Sequence, residues 1–136
     1  MKNKFSGNPF GELLQLEHIK AHDGFSRTEL TVQPEMFNPH GVLHGGVVFS
    51  LVDTCMGRAL YTLMTDEESC ATIEIKINFM RPVTDGQLLC ETQVLHRGRT
   101  TAVLESKVTC NAKLVAKAQG TYALFPVPIE KTEGLE

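Results

Sequence analysis

The apolar positions between Gly45 and Thr65 surround a helix on nearly every side. A segment of about 20 residues would be roughly 30 Å long at 1.5 Å per residue. Its polar residues recur every three or four positions and form one narrow stripe, which comprises Ser50, Thr54, Gly57, Arg58 and Tyr61. A helix with so wide an apolar surface is buried on most of its sides. The pattern therefore predicts one long, central helix in this part of the chain.

The period changes to two after this helix. Ile73, Ile75, Ile77 and Phe79 alternate with polar residues, which is typical of a half-buried strand. Three further strands follow along the chain, at 87–96, 100–110 and 114–124. Because their connections are short, we expect neighbouring strands to pair in antiparallel fashion.

Two strands and a short helix precede the central helix. The strands, at 14–21 and 25–32, are joined by Asp23-Gly24, a strong hairpin signal. The short helix is predicted at 8–14, with Pro9 in its first turn. The order ββαββββ, with strands of roughly 30–36 Å that match the helix in length, predicts an α+β fold. A strongly twisted antiparallel sheet would wrap around the one long helix.

A chain of 136 residues suits one domain. We assign residues 1–126 to this domain. Residues 127–136 contain prolines and charges without periodicity, so we assign them to a C-terminal tail.

Composition and charge narrow the classes of function. Hydrophobic residues make up 42% and charged residues 21%, as in ordinary globular proteins, and the net charge of −3 argues against a strongly basic nucleic-acid surface. The segment Val42–Leu63 includes His44, Asp53 and Arg58, so it is too polar to span a membrane. The N-terminus shows no signal peptide, and the four cysteines form no CxxC pair. We expect a cytoplasmic protein with reduced thiols and with no nucleic-acid or membrane partner.

The start of the long helix carries the first candidate chemistry. Gly45 and Gly46 open the helix, where backbone N–H groups lack internal partners and point outward. Such a site can bind an anion or an oxyanion, although a plain turn into the helix has the same sequence. Asn38 and His44 offer polar groups just before it, either to orient a carbonyl or to shape the turn.

Asp53 lies about two turns into this apolar helix. A buried carboxylate needs partners or a role. One interpretation is catalytic, and the other is a side chain on the polar stripe that Ser50 or Thr54 caps. Arg97 and Arg99 flank Gly98 in a tight connection, which is either a phosphate clamp or an ordinary solvated surface.

Two other candidates are weak. His18 and His22 are four residues apart, but they lie on a predicted strand and turn, so they would not share a helical face. Cys55 has no adjacent base in the sequence, which disfavours a nucleophilic role. We predict no metal site.

Asn38, His44, Gly45, Gly46 and Asp53 form the pattern N-x5-H-G-G-x7-D. With this pattern the chain resembles the hotdog-fold thioesterases. More narrowly, it resembles the PaaI-like (phenylacetate-pathway) acyl-CoA thioesterases of the 4-hydroxybenzoyl-CoA thioesterase superfamily. The resemblance covers about residues 8–126, and the segments 79–83 and 96–99 also look like the family's later segments.

The resemblance implies roles for individual residues. Gly45 would supply the oxyanion-hole N–H, and Asp53 would be the general base or the nucleophile. Asn38 and His44 would orient the thioester or the attacking water, which Thr72 would assist. We assign four further residues to substrate binding: Gly46, Arg81, Arg97 and Arg99.

The resemblance also implies an assembly. The family forms dimers of hotdog domains, often paired into tetramers, and needs no metal or cofactor beyond the coenzyme A of its substrate. Gly45 and Asp53 are eight residues apart on one helix, roughly 12 Å along its axis. We therefore expect each site to be shared between two protomers, with Asn38, His44 and Gly45 from one and Asp53 and Thr72 from the other.

The expected reaction is hydrolysis of acyl-CoA thioesters, with aryl-acetyl or medium-chain acyl groups. Two alternatives stay open: a hotdog dehydratase or hydratase, and a module that binds acyl-CoA without turnover. The intact Asp53 favours turnover.

Overall fold

A computed structural model describes residues 8–128 of the chain. It contains two α-helices, a 3₁₀ turn and six strands, in the order α1 (Pro9–Leu13), β1 (Glu17–His22), β2 (Phe25–Thr31), the 3₁₀ turn (Pro34–Met36), α2 (Gly45–Tyr61), β3 (Glu68–Phe79), β4 (Gln87–Arg97), β5 (Thr101–Cys110) and β6 (Lys113–Pro126). The predicted α+β class and the predicted order of elements are confirmed. Of the predicted tail, only Val127 and Pro128 lie within the described residues.

All six strands form one antiparallel sheet, in the order β1-β2-β4-β5-β6-β3. α2 packs across this sheet and contacts β2, β4, β5 and β3. Its sheet-facing side is fully apolar, and the buried residues are Val48, Leu51, Val52, Cys55, Met56, Ala59 and Leu60. Packing against the sheet therefore fixes the position of α2 relative to β3 and β6.

The other side of α2 differs from the sequence expectation. The helix ends at Tyr61 rather than Thr65, and the Thr62 hydroxyl donates to the Ala59 carbonyl 2.7 Å away. The prediction that this helix is buried on nearly every side is wrong for the single chain, because the sheet covers only one side of it. Phe49 keeps 37% of its surface exposed.

β3 also departs from simple alternation. Its pairing with β6 shifts between Thr72 and Glu74, so Ile73 is an extra residue in a β-bulge. The bulge exchanges the two faces of the strand: Thr72 hydrogen-bonds to α2, and beyond the bulge Ile75 packs against the core. The predicted half-buried face is therefore wrong at Ile73, which is 56% exposed.

Gly120 on β6 sets how closely α2 approaches the sheet. A Cβ atom at this position would lie 2.9 Å from the Met56 sulfur and 3.0 Å from Cγ1 of Ile75. Only glycine leaves room there for both side chains. The close approach brings the middle of α2 within hydrogen-bond reach of β3 and β6.

Candidate active site

The loop before α2 is fixed on both sides by backbone hydrogen bonds. Leu43 N–H donates to the Val83 carbonyl at 2.8 Å, and His44 N–H donates to the Met36 carbonyl at 2.9 Å. Leu43 also forms an isolated bridge with Phe37. The first turn of α2 therefore has a set position relative to the end of β3.

His44 caps α2. Its Nδ1 accepts from Gly46 N–H at 2.8 Å, so the neutral ring carries its proton on Nε2, where it can act only as a donor. The cap occupies the N–H of Gly46, a predicted substrate-binding residue. By contrast, the hydrogen bonds within residues 8–128 leave the Gly45 N–H without an acceptor.

The Phe79 ring lies beside Gly45, since a Cβ on this residue would be 3.2 Å from the ring. The helix start thus offers one donor next to an aromatic surface.

Asn38 shapes the loop in front of this donor. Its Oδ1 accepts from His40 N–H at 2.8 Å and from Val42 N–H at 3.3 Å. Its own N–H donates to the Val42 carbonyl at 2.8 Å. The side-chain carbonyl therefore closes the turn, and the Nδ2 amide group is left to donate elsewhere.

Asp53 is held by hydroxyl groups from two strands. Thr72 Oγ1 donates to Asp53 Oδ1 at 2.8 Å, and the Tyr122 hydroxyl lies 2.5 Å from the same oxygen. Ser50 does not cap this carboxylate, because its hydroxyl donates to the Gly46 carbonyl at 2.8 Å. The structure thus brings together Asp53 and Thr72, as predicted, and adds Tyr122.

Tyr122 is a residue of this candidate site that sequence reasoning missed. It is only 2% exposed, and its hydroxyl also lies 2.9 Å from the Asp53 backbone carbonyl. Burial, and after it the charge of Asp53, raises the pKa of Tyr122 well above its usual range, so the phenol stays protonated and donates. A signal existed: an aromatic hydroxyl on the apolar face of a buried strand needs a partner.

The predicted arginines lie at opposite ends of β3, with Arg97 and Arg99 near one end and Arg81 near the other. The Arg97 guanidinium binds the Glu68 carboxylate and donates to the Gly98 carbonyl at 2.8 Å. Arg99 is exposed and lines a surface cavity of about 420 Å³. Arg81, also exposed, follows the opposite end of β3.

Within one chain, the candidate site residues therefore lie in separate groups along β3. Phe79, beside Gly45, and Glu68, beside Arg97, are the two ends of this 12-residue strand. At about 3.3 Å per residue the ends are roughly 36 Å apart. Asp53 and Thr72 lie between them, nearer to Glu68.

The two weaker candidates from the sequence, Cys55 and His18, both contact residues of the sheet. Cys55 is fully buried, and a hydrogen bond with Cys90 lowers its pKa to about 6 against the effect of burial. Burial lowers the pKa of His18, whose Nδ1 lies 3.3 Å from the Thr28 hydroxyl. Within residues 8–128, no group of three or more histidine, cysteine or acidic side chains could hold a metal ion. In the same range no helix has the length and apolar character needed to cross a bilayer.

Comparisons with known proteins identify a family that this chain resembles. The family model described as the thioesterase superfamily matches residues 40–116. Acyl-coenzyme A thioesterase PaaI of Escherichia coli is 30% identical over 89% of this chain and 81% of its own length. The proofreading thioesterase EntH of Klebsiella pneumoniae is 32% identical over 71% of each chain.

The solved structures confirm the hotdog fold. The PaaI structure from E. coli superimposes with a TM-score of 0.83 at 28% identity, covering 89% of this chain and 87% of that one. A conserved protein of Pseudomonas aeruginosa gives a TM-score of 0.82 at 40% identity, covering 85% and 93%.

Proposed function

Because the chain belongs to the thioesterase superfamily and is a thioester hydrolase, we propose that it hydrolyses acyl-CoA thioesters to the free acid and coenzyme A. The observation that carries this proposal is Asp53, the one acidic residue of α2, whose partly exposed carboxylate is held by two hydroxyls. The name of the PaaI relative supports coenzyme A as the thiol of the substrate. Aryl-acetyl and medium-chain acyl groups are the proposed acyl classes.

The Gly45 N–H is the proposed oxyanion donor. Attack on a thioester carbonyl turns its oxygen into an oxyanion, and a helix-start N–H stabilises that charge by a few kcal/mol. His44 Nε2–H and the Asn38 amide group are two further donors near this helix start. They would orient the carbonyl or the attacking water.

Asp53 acts on the carbonyl carbon in one of two ways. As a general base it takes a proton from water, whose oxygen bonds to the carbon while the C–S bond breaks and the thiolate is protonated. As a nucleophile it bonds to the carbon itself, expels the thiolate and forms an anhydride, which water then cleaves. Both routes need only groups of this chain, so we propose no metal or cofactor beyond the coenzyme A of the substrate.

Each site is proposed to be shared between two copies of the chain. Gly45 and Asp53 are eight residues apart on α2, roughly 12 Å along its axis, which a short Asp side chain does not bridge. Phe49, Ile73 and Phe79 are all exposed on the uncovered side of α2 and along β3, the edge strand. A second copy related by a two-fold axis would cover these residues.

The two-fold arrangement would also gather the separated groups. Running two β3 strands antiparallel places the Gly45 end of one copy near the Arg99 end of the other. Asn38, His44 and Gly45 of one copy would then face Asp53 and Thr72 of the other, twice per dimer. We propose that Arg99 and Arg81 contact the phosphates of coenzyme A, and that two dimers pair into a tetramer.

Thiol release tests the activity. The wild type should release free thiol from at least one member of a panel of short, medium, long-chain and aromatic acyl-CoA esters. Asp53→Asn preserves the shape of the side chain and should lower kcat by more than tenfold, while the exposed Asp66→Asn serves as the matched control. No thiol release from any ester would refute hydrolysis, and binding without release would identify a binding module.

Complementation tests the shared site. Asn38→Ala and Asp53→Ala should each be inactive alone. After co-refolding in equal amounts, random pairing gives mixed dimers with one doubly damaged site and one intact site. Roughly a quarter of all sites should then be active, by the symmetry of the dimer. If mixed dimers form and activity stays at the level of the single variants, each site lies within one chain.

A further inference from the structure

Three elements meet at a single carboxylate oxygen. Thr72 on β3 and Tyr122 on β6 both reach Oδ1 of Asp53 on α2, at 2.8 and 2.5 Å. Both distances lie in the ordinary range for hydrogen bonds from a hydroxyl to an oxygen acceptor. Oδ1 therefore has two donors, which fix the rotation of the carboxylate about its axis.

Tyr122 holds the backbone of Asp53 as well as its side chain. Its hydroxyl is 2.9 Å from the Asp53 carbonyl oxygen, so this residue links β6 to both parts of one helical residue. Its burial leaves almost no surface that a substrate could touch. Tyr122 therefore acts on hydrolysis through its neighbours and not by touching substrate, and Asp53 is the neighbour that its hydroxyl contacts twice.

The second carboxylate oxygen of Asp53, Oδ2, has different surroundings. Within residues 8–128, no donor forms a hydrogen bond to Oδ2 of Asp53. Asp53 is partly exposed, so an unbound oxygen on it can accept a proton from water or approach a carbonyl carbon. The two oxygens thus differ in their surroundings: Oδ1 has two donors, and Oδ2 has none among the described residues.

We infer that Tyr122 and Thr72 are positioning residues that anchor Oδ1, and that Oδ2 is the oxygen that acts on the thioester. The inference rests on the proposed catalytic role of Asp53. It changes the role expected for Thr72, whose proton is donated to the carboxylate instead of to the attacking water. The bulge at Ile73 makes this anchor possible, because it turns Thr72 toward α2.

Tyr122→Phe tests the anchor because it removes one hydroxyl and keeps the buried ring. We expect kcat for the preferred acyl-CoA to fall about tenfold, which is about 1.4 kcal/mol. KM should stay within twofold, since Tyr122 does not touch substrate. Tyr61→Phe makes the same chemical change eight residues beyond Asp53 on α2, roughly 12 Å away. This control should leave both constants unchanged.

Thr72 supplies a second, independent test. Thr72→Val should lower kcat with little change in KM, and Thr72→Ser, which restores a hydroxyl, should recover most of it. The double variant Tyr122→Phe with Thr72→Val should lose less than the product of the two single losses, because both donors serve one oxygen. A full product would indicate independent roles and overturn the common anchor.

The outcomes separate the two proposals. If the wild type releases no thiol, the proposed function fails. If Asp53→Asn is inactive but a folded Tyr122→Phe keeps kcat within twofold of the wild type, only the anchor fails. A loss confined to KM would also overturn it. Should Tyr122→Phe not fold, as judged by thermal unfolding, the Thr72→Val and Thr72→Ser pair decides.

Discussion

Replacing Gly120 with alanine should destabilise the fold, because this position has no room for a methyl group. The new Cβ would lie 2.9 Å from the Met56 sulfur, 3.0 Å from Cγ1 of Ile75 and 3.3 Å from the Glu74 carbonyl oxygen. The Met56 side chain can move, but the Glu74 carbonyl belongs to the backbone of β3. The methyl group therefore pushes α2 and β3 away from β6.

The expected magnitude follows from two opposed effects. An extra methyl in a closely packed core costs about 1–3 kcal/mol. Alanine gains about 0.4–1 kcal/mol over glycine through the lower entropy of the unfolded chain. The net loss is about 1–2 kcal/mol, which lowers Tm by about 3–8 °C for a domain of this size.

Thermal unfolding at one fixed protein concentration measures the effect, since any association would make Tm depend on concentration. Gln119→Ala, on the exposed face of the same strand, is the matched control and should change stability by less than about 0.5 kcal/mol. In a Met56→Ala background the cost of Gly120→Ala should shrink, because the methyl then enters the vacated space. An unchanged or higher Tm in the wild-type background would refute the packing argument.

Three further predictions concern charged side chains. Arg97→Ala should lower stability by about 1 kcal/mol, less in high salt, through loss of its bond to Glu68. Arg99→Ala should instead raise KM for coenzyme A esters and have little effect on a pantetheine thioester without nucleotide phosphates; equal losses with both substrates would contradict this. The third prediction concerns Glu91. A hydrogen bond from Arg27 lowers the pKa of Glu91, so this carboxylate stabilises the fold at pH values above its unfolded pKa of about 4.3. That contribution is lost as the pH falls through the lower pKa of Glu91 in the folded state. The difference in unfolding free energy between the wild type and Arg27→Gln should therefore be largest at pH 7 and should shrink below about pH 4. A difference that stays constant in denaturant unfolding from pH 7 to pH 3 would refute it.

Most of the fold could be predicted from local sequence patterns. The change of period after residue 65, the Asp23-Gly24 hairpin and the short connections between later strands were enough to predict the order of elements. These signals are local, because each depends on residues within one helix or turn. The bulge at Ile73 left no such signal: its position depends on the register of β3 against β6, which single-strand alternation does not contain.

The candidate site could likewise be predicted only in part from the sequence. Asp53 could be found because a carboxylate in an apolar helix is conspicuous, and the Gly-Gly start of α2 marks the free N–H. The partners of the Tyr122 hydroxyl and of Arg97 could not be predicted, because each contact joins residues far apart in sequence. Glu68 and Arg97, for example, are 29 residues apart and lie on strands that do not pair.

The pair of hydroxyls on Asp53 also links activity to the order in which the chain folds. Among the described strands, β3 pairs only with β6, and β6 follows every other strand in sequence. Asp53 and Tyr122 are separated by 69 residues, and contacts of such long range form late and slowly. A chain in which β3 and β6 had not yet joined the sheet could have the helix start of α2, but its Asp53 carboxylate would lack both hydroxyl donors. On the proposed role of Asp53, such a partly folded chain would cleave thioesters poorly.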